Sequence, residues 1–307
     1  MAKRLLIHIR EDDLSTFTKH TVKGALFHIA HLHAHEISRL KFQGAIRKNG
    51  KPARVNAAIV PGDRIEIIFP PDPMPQTPSS AAAIPASWIR YEDEDMAIVY
   101  KPAGMPVHPA CGHAHDSLGT GMQAYLRLKR EGGRIRLIGR LDKNVSGLVV
   151  FAKNQPAAAR LWRQREQGIL QKTYHALAEG RFEKLSDTLV LPLKKSTGTQ
   201  TFAVGADGVQ ACTHYTVVRQ FNTFALVRLR LETGRTHQIR AHMRSIGHPL
   251  LGDTLYGAKT ALKRVGLQCT DIRCLSPFTL KRVEVKTPMD EALAEIIDTA
   301  EKETAWP

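Results

Sequence analysis

The sequence predicts an α+β protein built from two domains of unequal size. Three observations support this fold class: a length of 307 residues, a proline-rich stretch that interrupts the chain, and mixed strand and helix patterns on both sides of it. A chain of this length supplies about two domains and buries roughly 75% of its unfolded surface. An apolar fraction of 43% and a charged fraction of 24% are typical of globular proteins and exclude collagen-like and low-complexity chains.

The proline-rich stretch divides the chain. Residues 70–86 hold six of the 17 prolines. Proline lacks an amide donor and disfavours helix in the residue before it. We therefore predict a small domain at 1–70, a linker at 71–87 and a large domain at 88–307.

The small domain combines a short helix with a basic hairpin. Ile37 and Leu40 lie at helical spacing. The Asn49-Gly50 pair is a strong hairpin-turn signal, and residues 64–69 alternate as a strand. With 12 basic and 6 acidic residues, the domain is expected to present one cationic face. The predicted nucleic-acid-binding residues of this face are Arg39, Lys41, Arg47, Lys48 and Lys51.

The large domain alternates strand and helix patterns. The helix at 156–167 is expected to turn Leu161 and Trp162 inward and Arg160 outward, and the helix at 236–246 carries a polar face. The predicted elements are strands at 96–100, 147–152, 172–178, 212–219 and 224–233, and helices at 156–167, 236–246 and 289–303.

The charge balance indicates a polyanionic partner. Lys and Arg number 44 against 29 Asp and Glu, a net charge of +15, and nucleic acid is the common partner of so basic a chain. No run of 18 apolar residues, long basic amphipathic helix or signal peptide is present, so no membrane association is expected. The four cysteines are scattered, which predicts free thiols in a reducing cytoplasm.

Three blocks carry groups suited to chemistry. Asp142 lies in RLDKNVSGL, directly before a strand, where a fixed carboxylate can act as nucleophile or base. Tyr174 lies in KTYHA, and a tyrosine ring can stack on a nucleobase. The block TGRTHQIR turns from a strand into a helix and contributes the cationic side chains of Arg235, His237 and Arg240.

Together these blocks resemble the pseudouridine synthases of the RluA type. The matching stretches are VYKPAGMPVHPA at 99–110, RLDKNVSGL, KTYHA and TGRTHQIRAHMRSIGHPLLGD, within a resemblance that spans about 88–289. Residues 36–68 resemble a small RNA-binding module of a small-subunit ribosomal protein and of many RNA-modifying enzymes. The resemblance implies a large mixed, mainly antiparallel sheet flanked by helices, with the small basic α+β domain appended.

The resemblance also implies an activity. Such enzymes flip a uridine out of RNA and isomerise it to pseudouridine: the glycosidic bond to nitrogen breaks, the uracil turns, and carbon five bonds to the ribose. They need no metal or other cofactor. Ribosomal RNA is the favoured substrate, with transfer RNA as the alternative, and the protein is expected to be a monomer.

Site roles follow from the same resemblance. Asp142 is the catalytic carboxylate, acting as nucleophile or as the base that takes a ribose proton. Tyr174 stacks on the flipped uracil and assists removal of the proton on carbon five, and Arg240 pairs with Asp142. Arg140 replaces the flipped base or holds a phosphate, and Arg235 and His237 join it in RNA binding.

Two positions depart from the family pattern, and two other functions compete with the isomerase. Gly139 stands where the family has His, and Val145 where it has Thr, which affects how the target base is approached. One alternative is a non-catalytic RNA-binding or ribosome-assembly protein. The other is a base-removing hydrolase, which needs a second carboxylate to activate water; Glu232 and Asp253 are the candidates.

No metal or dinucleotide site is predicted. The run of His28, His31, His33 and His35 lacks the ligand spacing of a zinc site, and two isolated thiols at Cys269 and Cys274 do not form one. A loose G-x-G-x-x-A pattern at 119–124 has no strand before it, which excludes a dinucleotide-binding turn.

Overall fold

The computed structural model describes residues 3–15, 17–30, 32, 34–70, 82–108, 116–130 and 133–304. Most of the predicted linker, residues 71–81, lies outside this set. The side chains of Lys3, His35 and Thr304 are likewise not described.

The N-terminal part forms a four-stranded antiparallel sheet covered by helices. Its strands run in the order β1-β4-β2-β3. The predicted helix and hairpin are confirmed, and Asn49 and Gly50 form the turn with φ angles of 51° and 80°. Leu26, Leu40 and Ile65 lie in its separate apolar core. The elements are β1 (Lys3–His8), α1 (Glu11–Leu14), α2 (Val22–His28), α3 (Ala34–Phe42), β2 (Ile46–Lys48), β3 (Lys51–Pro52) and β4 (Arg64–Phe69).

The rest of the chain is built on a ten-stranded sheet, beside a two-stranded ribbon. The large-sheet strands are β5 (Ile89–Glu92), β6 (Met96–Lys101), β7 (Arg136–Ile138), β8 (Ser146–Ala152), β9 (Gln171–Glu179), β10 (Ser186–Val190), β13 (Cys212–Gln220), β14 (Phe224–Leu231), β15 (Leu267–Leu275) and β16 (Arg282–Lys286). The ribbon strands are β11 (Leu193–Lys195) and β12 (Phe202–Val204). The helices are α4 (Leu118–Leu128), α5 (Gln155–Glu166), α6 (Gln238–Ser245) and α7 (Glu291–Thr304).

The large sheet has the predicted mixed, mainly antiparallel character. Its main path is β10-β13-β14-β9-β15-β8-β6-β5, with β7 paired to β8 and β16 to β15. Only the β8–β15 pair is parallel among the strands of the described residues. All seven residues of β8 are buried, as expected for a central strand whose two faces are both covered. The α+β fold class is therefore confirmed.

The predicted orientation of α5 is partly wrong. Leu161 is buried as predicted, but Arg160 is also buried and Trp162 is 38% exposed. Arg160 donates from Nη2 to the Ala30 carbonyl at 2.8 Å and from Nη1 to the Pro277 carbonyl at 3.0 Å, and its guanidinium lies 4.2 Å from the Phe278 ring centroid. Burial lowers its pKa to about 10, which leaves it charged at neutral pH. A helical pattern does not reveal that a second unit packs on the polar face, and here Arg160 joins the two units.

Gly147 allows β8 and β15 to approach each other beside the Asp142 loop. Its φ is +117°, and a Cβ there would overlap the backbone of Cys269 on the neighbouring strand. Residues other than glycine rarely adopt this backbone conformation. The sequence SGL after the carboxylate loop is therefore a packing requirement.

We expect Gly147→Ala to lower the free energy of unfolding by at least about 2 kcal/mol, since it adds backbone strain to a steric clash. Gly198→Ala is the matched control, because Gly198 also has a positive φ but open space around it. Urea unfolding measures the free energy of unfolding of both variants. Equal losses in the two variants would show that the clash with Cys269 is relieved without cost.

Candidate active site

Asp142, Tyr174 and Arg240 line one cavity of about 470 Å³. Asp142 lies on the loop between β7 and β8, Tyr174 on β9 and Arg240 on α6. Because β9 and β8 both border β15, the sheet places the tyrosine close to the aspartate loop. The volume suits a small-molecule fragment of the size of a nucleotide.

Arg240 joins two carboxylates. Its Nε and Nη2 donate to Asp253 Oδ2 and Oδ1, both at 2.7 Å, and its Nη1 donates to Asp142 Oδ2 at 3.1 Å. Arg240 and Asp253 are both buried, while Asp142 remains partly open to the cavity. Burial opposes the charge on Arg240, but the hydrogen bonds and charges of Asp253 and Asp142 outweigh it and raise the pKa of the guanidinium. This planar fork fixes the orientation of the Asp142 carboxylate.

His237 is held in a strained conformation beside the aspartate. It precedes α6 with a left-handed φ of +55°, which is uncommon for a residue other than glycine and concentrates at functional sites. Its Nε2 lies 3.7 Å from Asp142 Oδ2 and its Nδ1 3.1 Å from the Tyr256 hydroxyl. Burial lowers the pKa of His237, and the Arg240 charge adds to this effect against the opposing pull of Asp142. The ring is therefore mainly neutral at pH 7.

Tyr174 presents a buried aromatic ring to the cavity. Burial, together with the neighbouring Cys269 thiol, raises the pKa of its hydroxyl well above the ordinary tyrosine value. The hydroxyl is therefore protonated at neutral pH. A ring in this position can stack on a base, and its oxygen can donate a hydrogen bond.

Lys101, to which the sequence assigned no role, supports the aspartate loop. Its ammonium is fully buried and donates to the carbonyls of Pro102, Met105 and Lys143 at 2.8, 2.8 and 3.0 Å. Lys143 directly follows Asp142. The lysine therefore ties the KPAGM turn to the carboxylate loop.

Arg165 and Lys172 were also not assigned a role by the sequence. Both line the cavity. Gly139 has a φ of +78°, and a Cβ there would lie 3.2 Å from Arg165 Nη1 and 3.4 Å from Lys172 Nζ. The two cations therefore border the position from which the family's histidine side chain would project. The departure at Gly139 is the sequence signal of a change at this position. The sequence does not reveal that Arg165 and Lys172 border the space left by the family's histidine ring.

The residues predicted to bind RNA fall into two places. Arg140 and Arg235 line the cavity with His237, and Arg235 Nε also donates to the Gln210 carbonyl at 3.2 Å.

The remaining five lie on the N-terminal unit, apart from the cavity. Lys41 and Lys51 are exposed and Arg47 is 4.0 Å from Glu66, but Arg39 donates to Gln155 on α5 at 2.6 Å. Lys48 pairs with Asp63 at 2.7 Å. The expected single cationic face is therefore reduced, because two of its members are already bound within the protein.

The two candidates for a second catalytic acid are both engaged. Asp253 binds Arg240 through both of its oxygens. Glu232 Oε1 lies 2.7 Å from His214 Nε2. This arrangement disfavours either acid as the water-activating group of a hydrolase.

The histidine run does not form a site that can be described. His28 stacks on Phe17 with ring centroids 5.0 Å apart. His31, His33 and the side chain of His35 lie outside the described residues. Cys269 and Cys274 are free, buried thiols.

Comparison with known proteins places the chain in a family. Residues 95–245 match the family described as RNA pseudouridylate synthase. The chain is 36% identical over 265 residues to an uncharacterised RNA pseudouridine synthase of Bacillus subtilis, covering 84% of this chain and 86% of that protein. It is 33% identical to the ribosomal large subunit pseudouridine synthase D of Haemophilus influenzae, covering 78% of each chain.

The fold comparison agrees. The structure of human RNA pseudouridylate synthase domain containing 4 has a TM-score of 0.57 at 20% identity, covering 70% of this chain and 93% of that one. The chain belongs to the RNA pseudouridine synthases, and within them to the RluA type. It is therefore an isomerase that converts uridine in RNA to pseudouridine. No helix among the described residues is long and apolar enough to cross a membrane.

We expect Asp253→Asn to lower the free energy of unfolding by about 3–5 kcal/mol, because it leaves the buried Arg240 charge only partly compensated. Isomerase activity should fall as well, since Arg240 loses one of its two anchors. Chemical denaturation and an activity assay measure the two effects. Asp187→Asn, which breaks a solvent-screened pair with Lys184, is the control and should leave the free energy of unfolding nearly unchanged. Similar losses in both variants would contradict the argument.

Proposed function

We propose that this enzyme isomerises specific uridines in structured ribosomal RNA, with Asp142 as the catalytic carboxylate. The observation that carries the assignment of the site is the contact of Asp142 with Arg240, fixed by Asp253, in a cavity that also holds Tyr174. The ribosomal substrate is supported by relatives named ribosomal large subunit pseudouridine synthase D. Transfer RNA is the alternative substrate.

Asp142 is held by its contact with Arg240. The guanidinium Nη1 lies 3.1 Å from its carboxylate, which serves either as a nucleophile or as the base that takes a ribose proton. The neutral ring of His237 adds no competing charge. The remaining Asp142 oxygen is available to the flipped uridine.

Tyr174 stacks on the flipped uracil and takes part in removing the proton from carbon five. The buried ring supplies an apolar face for the base. Because the pKa of its hydroxyl is raised, Tyr174 is protonated at neutral pH. The hydroxyl must therefore lose its own proton before it can accept one from carbon five. The stacking role and the proton role are therefore separable by substitution.

Cations around the cavity offset the free energy of base flipping. Extruding a nucleotide costs a few kcal/mol, and phosphate contacts are the main source of RNA affinity. Arg140 and Arg235 lie at the cavity and are assigned to this role. Arg165 and Lys172 add two charges beside Gly139, where they can contact a phosphate or the edge of the base.

The N-terminal unit is proposed as a separate RNA-binding module of residues 1–70, appended to a catalytic domain at 88–307. Its hairpin keeps Arg47 and Lys51 accessible. We further propose that the protein acts as a monomer in the cytoplasm, a compartment that suits the free thiols of Cys212, Cys269 and Cys274.

We expect Asp142→Asn to abolish turnover and to change RNA affinity by no more than a few-fold, because the amide keeps the shape and loses the charge. Release of tritium from carbon five of uracil in unmodified ribosomal RNA measures turnover, and filter binding measures affinity. Activity retained by the variant would sink the assignment of Asp142.

The same assay distinguishes the competing functions. Unmodified transfer RNA run in parallel identifies the substrate class. Free uracil or abasic sites would indicate the hydrolase. Tight binding without tritium release by the wild-type protein would indicate the non-catalytic binder.

We expect Tyr174→Phe to lower kcat while leaving RNA affinity nearly unchanged, since phenylalanine retains the stacking face and loses the hydroxyl. If the ionised hydroxyl is the active base, the wild-type rate rises above pH 7, because the raised pKa makes the ionised fraction grow through the alkaline range. The variant should lack that rise. Equal kcat in both proteins across the pH range would leave stacking as the sole role of Tyr174.

We expect the double substitution Arg47→Ala with Lys51→Ala to reduce the salt dependence of RNA binding. Each lost phosphate contact lowers the slope of log K against log salt by roughly 0.7–0.9. At saturating RNA, kcat should be unchanged, since neither residue lines the cavity. Binding titrations at several salt concentrations test this, with Lys302→Ala on α7 as control. A slope equal to that of the wild type would contradict RNA binding by the hairpin.

A further inference from the structure

We propose that Cys212, His214 and Glu232 form a binding site for a divalent transition metal of the zinc class, independent of the isomerase chemistry. Cys212 and His214 are two residues apart on β13, so they project from the same face of the sheet. Glu232 follows β14, and its backbone N–H donates to the Cys212 carbonyl at 3.2 Å. The strand pairing therefore brings a sulfur, a nitrogen and an oxygen ligand together.

The distances between the ligand atoms suit a small ion. Cys212 Sγ lies 3.8 Å from His214 Nε2, which lies 2.7 Å from Glu232 Oε1, and all three atoms are within 4.8 Å of one another. Zinc binds sulfur at about 2.3 Å and nitrogen or oxygen at about 2.0 Å in tetrahedral geometry. That geometry places ligand atoms roughly 3.3–3.6 Å apart. The His214 Nε2 to Glu232 Oε1 distance must therefore open by about half an ångström, and the Glu232 side chain, which is 64% exposed, is free of packing that would prevent this.

A threonine already orients the histidine for metal binding. Thr188 Oγ1, on the adjacent strand β10, lies 2.8 Å from His214 Nδ1. This contact occupies the far ring nitrogen and leaves Nε2 toward Cys212 and Glu232. A hydrogen-bond partner on the second nitrogen is the usual support of a metal-binding histidine.

The rest of the surroundings also suit a bound ion. The Cys212 amide donates to Thr233 Oγ1 at 2.9 Å, which fixes the strand at the sulfur ligand. Cys212 is nearly buried, while the side chain of His214 is 41% exposed, so the fourth position faces solvent and can take a water.

The ligand chemistry selects the metal. A thiolate with an imidazole favours zinc and its neighbours over magnesium or calcium, which prefer oxygen ligands. A metal here would replace the hydrogen bond between His214 and Glu232. Because Glu232 also lines the rim of the cavity, the ion would lie next to the RNA-binding residues without touching Asp142.

Titration of the full-length, metal-free protein with Co²⁺ tests the proposal. Cobalt bound by a thiolate produces a charge-transfer band in the near ultraviolet and visible bands of tetrahedral Co²⁺. We expect both at one equivalent, displaced by Zn²⁺. Absence of the charge-transfer band would overturn the proposal.

Variants locate the site. Cys212→Ser should abolish the charge-transfer band. Cys111→Ser is the matched control, because the sequence places Cys111 among His108, His113 and His115, a second group of ligand types in the same chain. A band that survives Cys212→Ser, or is lost in Cys111→Ser, would overturn the proposal.

A third variant separates a built site from chance binding to a thiol. Thr188→Val keeps all three ligands and removes only the contact to His214 Nδ1. We expect it to weaken cobalt and zinc affinity by about tenfold, with tritium release in metal-free buffer unchanged. This variant also keeps the proposal testable if Cys212→Ser fails to fold. Unchanged affinity would indicate a thiol that binds metal without the orienting contact, contrary to the proposal.

Discussion

The proposed active site depends on a single guanidinium. Arg240 is 7% exposed and lies between a buried carboxylate, Asp253, and a partly open one, Asp142. Of these two carboxylates, only Asp142 is open to the cavity. Buried carboxylate partners stabilise a buried arginine, and the same contacts orient the carboxylate that faces the cavity. Stability and the proposed chemistry are therefore linked at this residue.

Sequence patterns predicted those features that arise locally. The hairpin turn at Asn49-Gly50, the alternation of β14 and the buried strand β8 follow from backbone preference and periodicity, and their positions agree with the structure. The predicted start of α6 is two residues early. His237 has a left-handed backbone conformation, so the helix begins only after it. Periodicity contains no signal for one residue with an unusual backbone conformation.

Features that arise from distant contacts were less accessible. Asp142 and Arg240 are 98 residues apart in sequence. The resemblance to a family predicts that they pair, but their spacing alone does not. For the second anchor, Asp253, the sequence suggests only the role of a catalytic acid. Arg165 and Lys172 border Gly139 because of how α5 and β9 pack, which no local pattern encodes. The unexpected burial of Arg160 on α5 has the same origin, since this polar residue is covered by another part of the fold.

If the N-terminal hairpin binds RNA as proposed, the joint at Arg160 limits the kind of RNA that can be a substrate. The guanidinium ties the loop after α2 to the turn after β15, so the N-terminal hairpin and the cavity are held at a set separation. An RNA that engages both must present its two contact points across the same gap. A folded RNA can meet that condition where an unfolded copy of the same sequence does not. The enzyme would then select RNA by its folded shape, because the protein fixes the distance between the two contact points.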